Sequence, residues 1–222
     1  MNKKVWVAAV LAGVVGGPVL AAAPHAGFSL GANLGYAQVN GKLGRTFTAF
    51  TANDSSDLGS GAPLAGLFLG YGWVASSPGL YVGGEIFGQY QNLNSKREDN
   101  YNPLGFQYTT QVRTTNTFGA VAKLGYLCKD ALFFLKLGVA SAKWKFEFKD
   151  LTPPFTTATT NSRKTGFVAG LGMDFAVARN WAVGGEYTYT TYGSLKLPLT
   201  GLGSLTYKPK VSTFNLRLKY TF

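Results

Sequence analysis

The chain has 222 residues and a formal net charge of +11; it is 46% hydrophobic, only 14% charged, and carries 29 Gly with 16 Phe, 12 Tyr and 4 Trp. Glycine and aromatics with few charges suit strands and turns rather than helices, so an all-β domain is expected. Cys128 is the sole cysteine, which excludes an internal disulfide.

Residues 1–23 read as a signal peptide. Asn2-Lys3-Lys4 is a basic start, Val5 to Leu20 is apolar, and Ala21-Ala22-Ala23 offers small residues for cleavage. Residues 24–222 are then the mature domain. Without Lys3 and Lys4 it keeps 19 Lys and Arg against 10 Asp and Glu, a net charge of +9. Beyond residue 23 no apolar run reaches the roughly 18 residues of a spanning helix. Lys136 and Asp174 interrupt the longest ones.

Eight segments alternate with period two, the signature of strands whose successive side chains face opposite ways. The first four set Phe28 to Tyr36 against Ser29 to Gly35, Ala65 to Trp73 against Gly66 to Gly72, Leu80 to Tyr90 against Gly83 to Gln89, and Phe118 to Tyr126 against Thr117 to Gly125. The last four set Phe133 to Val139 against Phe134 to Ala140, Phe167 to Phe175 against Gly166 to Asp174, Trp181 to Tyr189 against Ala182 to Thr190, and Phe214 to Phe222 against Asn215 to Thr221.

Short turns at 76–79, 128–131 and 178–180 alternate with four longer, polar connections near 41–62, 93–114, 147–164 and 193–210. Short turns at one end and long loops at the other are the pattern of a membrane barrel. One face of the strands is bulky and apolar, the other small with a few charges. An eight-stranded lumen has room only for the small face, so the bulky face meets lipid. Trp73, Tyr126, Phe133, Phe175, Trp181 and Tyr220 gather near the short turns, and Tyr36, Tyr90, Phe118, Phe167, Tyr189 and Phe214 near the long loops. These are two expected aromatic girdles. The fold expected is an all-β, eight-stranded antiparallel up-and-down transmembrane barrel.

With its signal peptide, its eight strands and a last strand ending on Phe222, the chain resembles the small outer-membrane barrels of Gram-negative bacteria. That family includes the OmpA transmembrane domain, the opacity-type proteins and the alphaproteobacterial porin-family surface proteins. The segments YVGGEIFGQY (81–90) and WAVGGEYTYT (181–190) are similar to that family too, and suggest two related halves. The resemblance implies that Phe214, Leu216, Leu218, Tyr220 and Phe222 are the signal read by the barrel-assembly machinery. It also implies a monomer in the outer membrane, with a structural or surface-interaction role directed at host or environmental ligands. A narrow gated pore is the alternative, and an outer-membrane hydrolase a more distant one.

Catalysis has little to stand on. His25, the single histidine, precedes the first strand, and no second group is placed to work with it. No Cys, His and carboxylate cluster has metal-ligand spacing, and no cofactor is expected. The basic excess is scattered over Lys42, Arg45, Lys96, Arg97, Arg113, Arg163, Lys164, Lys208 and Lys210. It forms no compact nucleic-acid motif and suits anionic lipid and lipopolysaccharide phosphates instead.

Counting along the strands places six inward charges roughly 13 Å above the short-turn rim. Neighbouring strands would pair Glu85 with Lys123, Lys136 with Asp174, and Glu186 with Arg217, because an unpaired charge is costly in a narrow lumen. Such a layer would plug the barrel, and an exchange of partners would open it.

Overall fold

Alternation becomes a wall only if every strand finds a neighbour on both sides. The computed structural model describes residues 25–47, 53–75, 79–101, 106–150, 157–199 and 203–222; the expected signal peptide lies outside them. Its strands are β1 (Gly27–Phe47), β2 (Asn53–Val74), β3 (Leu80–Tyr101), β4 (Phe106–Cys128), β5 (Ala131–Asp150), β6 (Thr157–Ala176), β7 (Trp181–Tyr192), β8 (Leu195–Leu199) and β9 (Gly203–Thr221). β1 to β7 pair antiparallel in chain order, β7 pairs with β9, and β9 returns to β1 through Leu34↔Leu216 and its neighbours. This is a closed, eight-stranded antiparallel barrel. The short β8 is laddered to β9 alone.

The lower part of the wall follows the expected parity. All twelve girdle aromatics point outward, from Tyr189 at 37% exposure to Tyr90 at 60%, with Tyr220 half-covered between Trp181 and Phe222. The turn Lys129-Asp130 is tight, and Lys129 takes a φ of 54° to make it. Residues 76–78, in another expected turn, lie outside the described ones.

The upper part corrects the sequence reading. The four stretches taken as long loops are largely strand. β1 runs to Phe47, β2 starts at Asn53, β5 runs to Asp150 and β6 starts at Thr157; only 48–52, 102–105, 151–156 and 200–202 at the hairpin ends are outside the described residues. Strands of 20 or more residues, rising about 2.6 Å per residue at the usual tilt, reach roughly 50 Å. That is about twice an apolar band of about 25 Å. The cause lies in the interior: above the upper girdle the inward side chains turn apolar. Val39, Leu64, Leu93, Val112, Trp144, Phe146, Phe148, Tyr192, Leu195, Tyr207 and Val211 form one buried cluster. In this half the outside is polar and the inside greasy, as in a water-soluble β-protein.

The ring also divides there. The β2–β3 ladder stops at Leu64↔Gln91, beside Pro63, which has no amide hydrogen to donate. Above that point Ser60 Oγ donates to the Asn94 carbonyl (2.8 Å) and Ser95 Oγ to the Gly59 carbonyl (3.1 Å). On the far side the β6–β7 ladder stops at Gly166↔Tyr192. The upper half is thus two four-stranded sheets, β8-β9-β1-β2 and β3-β4-β5-β6, closed face to face over the apolar cluster. Register slips between Thr114 and Thr117 of β4, which both point inward although three residues apart. That inserted residue turns Val112 inward and Arg113 outward.

Candidate functional site

Halfway up the membrane-spanning ring, charged side chains cross the lumen. Parity aims them inward, and all six expected residues are buried: Glu85, Lys123, Lys136, Asp174, Glu186 and Arg217. Lys123 Nζ donates to Glu85 Oε2 at 2.5 Å, and Arg217 Nη1 donates to Glu186 Oε2. These are two of the three expected pairs.

The third differs. Lys136 Nζ reaches Glu186 Oε1 at 2.8 Å, not Asp174. Asp174 instead accepts from Lys219 Nζ at 3.1 Å and lies 3.6 Å from Arg217 Nε. Register explains it: Lys136 is opposite Gly170, while Asp174 is opposite Leu132, four residues lower on the wall. Asp174 therefore belongs to the level of Lys219, a residue missing from the expected layer although its parity is the same. Nor do the charges stay in pairs. Arg217 also donates from Nη2 to Glu85 Oε2 at 2.6 Å, so both glutamates of the two GGE segments converge on one guanidinium. Asn215 Nδ2 adds a bond to Glu186 Oε1 at 3.1 Å.

Aromatic rings complete the plug. The Arg217 guanidinium lies 4.0 Å from the Phe68 ring centroid, Lys123 Nζ 4.4 Å from that of Phe134, and Lys136 Nζ 5.6 Å from that of Phe87. Such ring faces attract cations while excluding water. Gly172 leaves the room this needs, since a Cβ there would sit 2.6 Å from Phe134 Cζ. Below the charges, Tyr81, Leu132 and Phe134 pack into an apolar floor. Above them, a cavity of about 10 Å³ among Gln91, Thr117, Thr188 and Thr213 holds one water at most. Then the upper apolar cluster begins.

His25 is more than an incidental polar residue. It is 2% exposed and seals the short-turn mouth. Its Nε2 lies 3.2 Å from the Asp130 carbonyl and its Nδ1 3.2 Å from Lys219 Nζ. Those partners assign the neutral tautomer with Nε2–H donating and Nδ1 accepting. Burial, then the Lys219 ammonium, hold its pKa below the ordinary 6.5. Among the described residues it is hydrogen-bonded as a peg at the mouth, between the Asp130 carbonyl and Lys219.

The last strand shows Phe214, Leu216, Leu218 and Phe222 to the outside at 46% to 63% exposure, with Tyr220 meeting the rings of Trp181 and Phe222 edge-on. Of the scattered cations, Lys42, Lys96, Arg113, Arg163, Lys208 and Lys210 are exposed and Lys164 is half-buried; the side chains of Arg45 and Arg97 are outside the described ones.

Comparison with known proteins agrees with this architecture. The family described as outer membrane protein beta-barrel domain matches residues 7–222. The chain is 30% identical over 203 residues to the 31 kDa outer-membrane immunogenic proteins of Brucella melitensis biotype 1 and Brucella suis biovar 1, covering 87% of this chain and 82% of each relative. The outer membrane protein OprG from Pseudomonas aeruginosa has a similar fold, with a TM-score of 0.59 at 12% identity over 89% of this chain and 98% of that one. A closed eight-stranded barrel with a lipid-facing band, matched along nearly its whole length, places this chain in the outer membrane protein beta-barrel family, in the outer membrane of a Gram-negative bacterium.

Proposed function

We propose that the protein is a plugged, non-conducting barrel whose role is structural and surface-interactive, exercised by the half that stands beyond the membrane. The observation that carries this is the filled lumen: among the described residues an apolar floor, a charge network with aromatic lids, and an apolar cluster follow one another up the barrel. A narrow pore would need a continuous water column. The investment in a second, water-facing core supports a surface role, as does the similarity to relatives named outer-membrane immunogenic proteins. In this reading the surface half meets a host or environmental ligand, while lipid and lipopolysaccharide hold the wall. Refolded protein in planar lipid bilayers tests it. No steady conductance at neutral pH is expected, and a sustained open level in most insertions overturns the plugged reading in favour of a pore.

A further inference from the structure

The outer wall carries a cluster that the lumen network does not use. Just above the upper aromatic girdle, Lys143 on β5 stands directly opposite Arg163 on β6, and Lys145 opposite Arg113 on β4. All four are exposed. Like charges facing each other across a sheet repel, yet two such pairs lie side by side here. Among the described side chains of this block a single carboxylate answers them: Glu147, 2.5 Å from Lys145 Nζ, whose hydrogen bond holds the Glu147 carboxyl below its usual range. Arg113 Nε donates to the neutral Asn92 Oδ1 at 3.2 Å. The Lys143–Arg163 pair faces out over a recess of about 60 Å³, walled by Asn116, Phe118 and Ser141.

The surroundings of the recess say what fits. Phe118, Val139 and Phe167, in the rows directly beneath, are 53% to 57% exposed and belong to the lipid-facing band. A ligand seated here has an anionic group at the level of the cations and hydrocarbon running down past Phe118. The guanidinium fork and the ammonium suit the oxygens of a phosphate, while the Ser141 hydroxyl and Asn116 amide suit a sugar or phosphate oxygen beside it.

We propose that this recess is a specific site for the phosphate of an outer-leaflet glycolipid of the lipopolysaccharide type, held by Lys143 and Arg163 with Arg113 and Lys145 flanking. The site rests on the long half of the barrel facing the cell surface.

The wall supplies its own control. Lys42 on β1 is opposite Lys208 on β9, both exposed at a similar height. Replacing that pair removes the same charge without touching the recess. Full-length mature barrel in detergent micelles is titrated with bisphosphorylated lipid A, with the same lipid lacking phosphates, and with inorganic phosphate, bound lipid being counted by native mass spectrometry. Folding of every variant is checked by heat-modifiable migration. Lys143→Gln with Arg163→Gln is expected to weaken lipid A binding at least tenfold, and Lys42→Gln with Lys208→Gln less than threefold. The dephosphorylated lipid is expected to bind as weakly to wild type as lipid A binds to the first variant, and millimolar phosphate alone to fail to displace it. Equal losses from both pairs would reduce the site to general surface charge and overturn the proposal, as would no loss from either. Displacement by inorganic phosphate would remake it as a free-anion site and equally refute the glycolipid assignment.

Discussion

Glu186 is the position where the lumen network is most exposed to a small chemical change. Four cations (Lys123, Lys136, Arg217, Lys219) meet three carboxylates (Glu85, Asp174, Glu186), a net charge of +1. Glu186→Gln keeps the shape and raises the net charge to +2. Arg217 retains Glu85 and Asp174, and Lys123 retains Glu85. Lys136, whose ion pair among the described residues is with Glu186, is left with a neutral amide oxygen and the Phe87 ring in place of a contacting carboxylate. Breaking a buried pair from one side costs about 3–5 kcal/mol. Because Arg217 keeps two partners, a loss of about 3 kcal/mol is the expectation here. Removing the stranded ammonium as well, in Glu186→Gln with Lys136→Met, should recover about 2 kcal/mol of that loss through their coupling. The assay is urea unfolding and refolding of the barrel in lipid vesicles, followed by tryptophan fluorescence and heat-modifiable migration. A single-variant loss below about 1 kcal/mol, or strict additivity of the two substitutions, would show the charges to be independent, each solvated in its own pocket.

Trp144→Ala tests the upper core: Trp144 is 2% exposed and meets Tyr192 edge-on at 5.3 Å, so a loss of about 3–5 kcal/mol is expected, with new protease sensitivity above the girdle in intact cells; unchanged protection would mean that no packed core stands there. For His25 the folded pKa is depressed, so its contribution to stability is complete above 6.5 and declines as pH falls through the folded value. Wild type should therefore lose urea resistance between pH 7.5 and 5 more steeply than His25→Gln, and parallel slopes would refute a neutral His25 peg at the mouth. Deleting Phe222 should lower outer-membrane levels and leave precursor in the periplasm; undiminished heat-modifiable barrel would remove the last strand from assembly recognition. Cys128, exposed beside the tight Lys129-Asp130 turn, should resist an impermeant maleimide on intact cells while Lys149→Cys, near the upper end of β5, is labelled, and surface labelling of Cys128 would invert the orientation.

The membrane half was legible because lipid and lumen impose opposite polarity on alternate residues, and that contrast is written directly into the order of side chains. Phe28 to Tyr36 or Phe214 to Phe222 can be read by parity alone. The upper half kept the period but exchanged the sides. In ASAKWKFEFKD (140–150) Trp144, Phe146 and Phe148 alternate with Lys143, Lys145, Glu147 and Lys149 as regularly as any membrane segment, yet the Thr, Ser, Asn and Pro that follow drew the residues from 147 on into an expected loop. Alternation there was the available signal. Counting along each strand found six of the seven inward charges of the network and passed over Lys219, and it could not set the offset between neighbouring strands. A slip of four residues moved Asp174 from Lys136 to Lys219. The peg at His25 left no periodic trace, because it depends on the carbonyl of a turn 105 residues away.

The seam above Leu64 and Gln91 gives the protein a joint. On that side the two surface sheets are tied by the serine hydroxyls of Ser60 and Ser95, while the ring beneath is stitched by backbone bonds all the way round. Local opening free energies within one protein range from near zero to the full unfolding value, and a side-chain clasp belongs at the lower end of that range. The surface half therefore opens first along this edge, as far as the apolar cluster shared by the two sheets allows, while the membrane ring beneath stays closed.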